Sequence, residues 1–210
     1  MSRWKKAAMI TSSILVGIGF LILGLWIFYS KAPWGFAREV SPEEAERRLS
    51  LVRSAENWLG CSEADGSHKP IIDLYNSQDV LPMEYEVLYT DSWCATFVTA
   101  AAIESSLADI IPPECGCQRQ IGLFQELGCW QEKDTYLPLP GDIIYYAWDE
   151  KPYGDCTGWA DHVGIVVGIK YPFIKVIEGN KDDSVSYRIL RIGDKTIRGY
   201  GMPDYDALTK

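Results

Sequence analysis

The sequence predicts an α+β fold: N-terminal helices packed on an antiparallel β-sheet, preceded by one transmembrane helix. Three observations carry this prediction. An uncharged apolar run occupies residues 7–29; apolar residues then recur at helical spacing through the first half; and from Leu137 onward the period becomes strand-like. Helices first and strands second is the order of an α+β chain rather than of alternating βα units.

The run from Ala7 to Tyr29 follows Arg3, Lys5 and Lys6 and is closed by Lys31. About 23 residues at a 1.5 Å rise cross a ~30 Å hydrocarbon layer, whereas a cleaved signal has an apolar stretch of roughly 7–15 residues. Ser30-x-Ala32 is only a weak cleavage site. The expected organisation is a cytoplasmic basic segment (1–6), a transmembrane signal anchor (7–30), a linker (31–40) and one folded domain outside the membrane (41–210). Trp4, Trp26 and Tyr29 fall where interfacial aromatics belong. Residues 1–30 hold those three cations and no carboxylate, so the remainder carries −12 against −9 for the whole chain. Such an acidic domain excludes nucleic acid as a partner and adheres little to an anionic wall polymer. Its substrate must be recognised in a groove.

Ser41-Pro42-Glu43-Glu44 supplies an N-cap, a proline at the first helical position and a capping-box glutamate. Ala45, Leu49, Val52, Ala55 and Leu59 continue the helical period until Gly60. Residues 61–82 are polar, with a short helix expected around Ile71–Tyr75. Asp91 and Ser92 are good N-caps for an Ala-rich helix from Trp93 to about Leu107 or Ala108. Pro112-Pro113 breaks the chain, and Gln120–Leu127 reads as a further short helix. Pro138-x-Pro140-Gly141-Asp142 then turns into strands at Ile143–Trp148, His162–Val167, Ile174–Glu178, Val185–Ile192 and Ile197–Tyr200.

The chemistry centres on Cys94, in the first turn of the central helix. Unpaired N–H groups and the positive end of the helix dipole favour its thiolate. Read alone, it is equally a buried helix cysteine. A cysteine nucleophile needs a base, and the chain holds two histidines. His68 lies in a polar loop and reads as solvated; His162 opens a strand in Asp161-His162-Val163-Gly164-Ile165-Val166. Asp161 alternates to the opposite face and is discounted as its orienter. The backbone N–H of Cys94 is a natural oxyanion donor, with Tyr89 the candidate for a second.

Trp93-Cys94-Ala95-x-Phe97-Val98 on a helix, Pro140-Gly141-Asp142 before a strand, His162-Val163-Gly164-Ile165-Val166 and Ile177-Glu178-Gly179-Asn180 follow one another in order. In that order they resemble the CHAP family of papain-like amidohydrolases and peptidases, over roughly Glu43 to Tyr205. The related NlpC-type hydrolases share the Cys-then-His order but look more like Asp-Cys-Ser-Gly at the nucleophile, which Ser92-Trp93-Cys94-Ala95 does not match. The resemblance implies a papain-like CHAP fold. It implies Cys94 as nucleophile, His162 as base, Glu178 and Asn180 as the residues orienting the imidazole, and peptidoglycan peptide as substrate, cut as an N-acetylmuramoyl-L-alanine amidase or a stem or cross-bridge endopeptidase. Two alternatives stand beside it: a cysteine peptidase or transpeptidase acting on a protein or peptide, and a catalytically silent CHAP-like binding module.

An antiparallel hairpin turning near Tyr171 pairs residues whose numbers total about 342, which sets 178 opposite 164 and 180 opposite 162. Glu178 is then the expected direct partner of His162, because a carboxylate both fixes the tautomer and stabilises the imidazolium. No cofactor and no metal is invoked. Cys115, Cys117 and Cys129 lack zinc spacing, and Asp149, Glu150 and Asp155 lack an ordered calcium pattern. One disulfide, from Cys129 to Cys115 or Cys117, is an open expectation beside buried thiols.

Overall fold

A computed structural model describes Ile18, residues 33–148 and residues 156–207. Contacts divide the chain into two compact units, residues 1–33 and 34–210, and the second holds the sheet. The expected membrane span, apart from Ile18, and the acidic loop residues Asp149, Glu150 and Asp155 lie outside the described residues. No described helix is long and apolar enough to cross a membrane.

The architecture is α+β, with four α-helices and a six-stranded antiparallel sheet among the described residues. Helix α1 (Pro42–Asn57) begins as its sequence dictates: Ser41 accepts from the Glu44 N–H, and Pro42 occupies the first turn. Helix α2 (Lys69–Asn76) is followed by a 3₁₀ turn at Pro82–Glu84. Helix α3 (Cys94–Glu104) is apolar all round and buried from Cys94 to Ala102, as befits a helix surrounded by protein. It ends earlier than its apolar run because Ser105 caps it and Ser106 turns to φ 60°. Helix α4 (Cys117–Glu126) starts three residues before the expected Gln120.

The strands are β1 (Trp130–Gln131), β2 (Ile143–Tyr146), β3 (His162–Lys170), β4 (Phe173–Lys181), β5 (Ser184–Arg191) and β6 (Ile197–Gly201), in the order β1-β6-β2-β3-β4-β5. Near the site β3 and β4 pair as Ile165 with Ile177 and Val166 with Val176, the total of 342 expected from sequence; a bulge before Gly168 shifts the far end by one. Gly35, within the stretch read as linker, exchanges both backbone hydrogen bonds with Ile169, so ordered structure begins before Ser41.

Helix α3 packs against β3 and β4, where Phe97 and Val98 join Val163, Ile165 and Ile177 in one core. The opposite face is a second core with Ile144, Tyr146, Val166, Val176 and Tyr200. The approach of α3 to β4 is very close. A Cβ at Gly179 would lie 2.4 Å from Phe97 Cβ and 2.9 Å from Trp93 Cζ3. The Pro-Gly-Asp turn is an anchor. Asp142 is fully buried, accepts from Leu139 N at 2.9 Å and Arg48 Nη1 at 2.8 Å, and so ties α1 to the start of β2.

Candidate active site

Cys94 is the first residue of α3, so its N–H is among those without an intrahelical acceptor. The capping differs from expectation: Trp93 is the N-cap residue and no side chain caps the helix. Asp91 is turned into its own loop, where its carboxylate accepts from Leu88 N and Tyr85 Oη, both at 2.8 Å. Trp93 holds the helix start instead. It is fully buried, donates from Nε1 to Glu63 at 2.9 Å and packs on His68.

His162 opens β3 opposite Tyr146. Tyr146 stacks on the imidazole at 5.8 Å and on Trp148 at 5.0 Å. These rings leave His162 only 8% exposed. Its Nε2 meets Glu178 Oε2 at 3.1 Å, and the Cys94 thiol is close enough to raise the pKa of the ring. Glu178 is fully buried, and its other oxygen accepts from Arg188 Nε at 2.7 Å. Gly164 makes room for this carboxylate, since a Cβ there would lie 2.7 Å from Glu178 Cγ.

A second thiol completes the site. Cys117, the first residue of α4, places its Sγ 3.6 Å from Cys94 Sγ. The hydrogen bond from Cys117 holds the Cys94 pKa well below the usual thiol value; burial opposes this, and His162 reinforces it. The Cys117 thiol moves the other way, pushed up by the same contact and by burial. Burial acts against charge on His162, but its interactions with Cys94 and Glu178 outweigh that and raise its pKa to about 9. Burial likewise works against the Glu178 carboxylate, yet His162 and Arg188 together keep its pKa below the ordinary value. The charge state this favours is a Cys94 thiolate beside a His162 imidazolium, backed by an ionised Glu178.

Beside the imidazole lies a cavity of about 360 Å³ lined by Trp148, His162, Asn180, Lys181, Asp182 and Arg188. Asn180 thus shares the site, though not as the ladder predicts. The pairing of β4 with β5 shifts between Glu178 and Lys181, and Asn180 takes a left-handed φ of 56°. Among the described residues no hydrogen bond joins Asn180 to His162.

Tyr89 lies elsewhere. Its hydroxyl donates to Asp73 at 2.6 Å, and it lines a separate hollow with Asn76, Glu86 and Leu88. His68 is not solvated: it is buried, with its ring nitrogens on the Ser62 and Tyr89 carbonyls at 3.2 Å each. Asp161 accepts from the Trp148 N–H at 2.6 Å, away from the imidazole. No disulfide joins any of the six cysteines, all of them described. A bridge from Cys129 to Cys117 is blocked by α4 itself. Cys129 stays at the far end of α4, where its N–H bonds to the Phe124 carbonyl, and seven residues of helix set Phe124 about 10 Å from Cys117, beyond the ~7 Å limit between bridged Cα atoms.

Arg188, Cys117 and the Tyr146–Trp148 stack were missed from sequence. Arg188 carried a signal: β5 pairs Ser186 with Glu178, so Arg188, two residues on, shares that face and lies diagonally within reach. Cys117 carried none, because its position depends on how a loop folds back on α3. Among the described residues no cluster of His, Cys, Asp and Glu is arranged to hold a metal. Comparison with protein-family models, curated proteins and solved structures returns no match.

Proposed function

We propose that this chain is a cysteine amidohydrolase of the CHAP type, with a papain-like fold, that cuts amide bonds in peptidoglycan peptides from the outer side of a membrane to which residues 7–30 anchor it. The observation that carries the reading is the linear series Cys94–His162–Glu178. A helix-start thiol and an imidazole shift each other's pKa, the thiol down and the imidazole up, and the imidazole Nε2 is held by a buried carboxylate.

In this mechanism the Cys94 thiolate attacks the carbonyl carbon of the scissile amide. The Cys94 N–H, at the helix start, donates to the oxyanion that forms. His162 passes its proton to the leaving amine, the C–N bond breaks and a thioester remains on Cys94. Neutral His162 then takes a proton from water, whose oxygen attacks the thioester and releases the acid with the thiolate restored. Glu178 keeps the imidazole oriented and stabilises its charged form throughout.

The test is mass spectrometry of fragments released from purified peptidoglycan by the full-length protein in detergent. New amino termini or free lactyl carboxylates are expected with the native chain, and none with Cys94→Ala. Unchanged peptidoglycan alongside cleavage of an unrelated peptide would transfer the activity to a protein or peptide substrate.

A further inference from the structure

The contact between Cys94 and Cys117 joins two otherwise distant parts of the chain at a fixed distance. Each thiol belongs to the first residue of a helix, α3 and α4 respectively. The loop leading into α4 is fastened to α3 just upstream of Cys117. Thr99 Oγ1 donates to the Glu114 carbonyl at 2.8 Å and accepts from the Glu114 N–H at 2.9 Å. The Glu114 carboxylate, itself buried, accepts from the N–H groups of Cys115 and Gly116 at 2.7 and 3.0 Å. Arg119 closes this turn with two hydrogen bonds to the same carboxylate. The turn is therefore built against α3, and its geometry brings one sulfur within 3.6 Å of the other.

We propose that Cys94 and Cys117 form a thiol–disulfide exchange site, which small-molecule disulfides convert to an intramolecular Cys94–Cys117 bridge that switches the site off. The switching consequence rests on the function proposed above; the bridge itself does not.

The steps balance without a further oxidant. The Cys94 thiolate attacks one sulfur of a disulfide RS–SR; a bond forms to Cys94, the S–S bond breaks and RS⁻ leaves. Cys117 then gives its proton to solvent, and its sulfur attacks Cys94 Sγ, expelling a second RS⁻. Two protein thiols are oxidised and one small disulfide is reduced to two thiols. The unequal pair suits this sequence. The ionised sulfur attacks first, while Cys117 stays protonated until the mixed disulfide stands beside it. With Cys94 bridged, no thiolate remains to attack an amide, and a dithiol reductant restores it.

Oxidised glutathione on the full-length protein in detergent tests this, followed by alkylation and digestion at glutamate. Cleavage at Glu104 and Glu114 puts Cys94 and Cys117 on separate peptides. The expected product is a cross-linked pair of these peptides, unaffected by Cys115→Ser, together with loss of hydrolysis that dithiothreitol restores. Cys117→Ser is expected to stop at one glutathione on Cys94. A native protein that keeps both thiols alkylatable, or stops at the glutathione adduct, would overturn the proposal. If the bridge forms in a protein without hydrolytic activity, the exchange site stands and the proposed function is what fails.

Discussion

Glu178 is shared by His162 and Arg188, with one carboxylate oxygen 3.1 Å from the imidazole Nε2 and the other 2.7 Å from the guanidinium Nε. The guanidinium also lies over the rings of Tyr146 and Trp148, at 5.4 and 5.1 Å. Burial works to raise the pKa of this carboxylate, and Arg188, together with His162, more than offsets it.

Two substitutions should separate these roles. Glu178→Gln keeps the shape but loses the charge that stabilises the imidazolium, so kcat should fall on the order of 10²-fold, as for an impaired general acid–base, with little change in KM. Arg188→Ala removes a charge-assisted hydrogen bond of roughly 1.5–3 kcal/mol that acts only through Glu178. Its expected loss is about tenfold at neutral pH, growing as the pH is lowered toward the Glu178 titration. Steady-state kinetics on both variants checks this; a larger loss for Arg188→Ala would mean that the guanidinium touches substrate.

Much of this arrangement was legible because strands have a period of two. The hairpin total of 342 fixed Gly164 beside Glu178, and parity alone put Glu178 on the His162 side. The same regularity misled at Asn180, where a left-handed backbone ends the ladder that the parity argument extends. Helix limits shifted for local reasons. Asp91 satisfied its own loop rather than capping α3, and Ser106 broke a run whose composition was still helical. His68 looked solvated because its sequence neighbours are polar; its burial comes from Trp93 and from two carbonyls, one of them 21 residues distant. The Cys94–Cys117 contact lies in tertiary structure alone, since 23 residues and a proline break separate the two.

The ionisation pattern sets a pH profile. kcat/KM should rise with pH as Cys94 ionises, well below the usual thiol value, and fall as His162 loses its proton at about pH 9. For stability the sign follows from the raised histidine value. The contribution of charged His162 is fully present below its ordinary value of 6.5 and is lost as the pH rises through about 9. Glu178→Gln removes one support of that charge, so its alkaline limb should move to lower pH. An alkaline limb that stays at the native position in this variant would show that His162 is not the group titrating.

The last prediction concerns the closeness of α3 to β4, on which the meeting of Cys94 and His162 depends. At Gly179 a methyl group would stand 2.4 Å from Phe97 Cβ and 2.6 Å from its Cγ, inside any tolerable contact. Phe97 Cβ is fixed to the helix backbone, so the helix or the strand must move. Forcing a methyl into a packed core typically costs about 1–3 kcal/mol, and the urea midpoint of Gly179→Ala should fall accordingly. The displaced helix carries Cys94 away from a histidine held on the sheet. Gly179→Ala should therefore lower kcat well beyond any effect on folding, and slow alkylation of Cys94 near neutral pH as the support of its thiolate by His162 weakens. Shortening Phe97 to leucine keeps the offending Cβ, so Phe97→Leu should not rescue the variant. Rescue by that second substitution would place the strain in the aromatic ring and not in the approach of the two backbones.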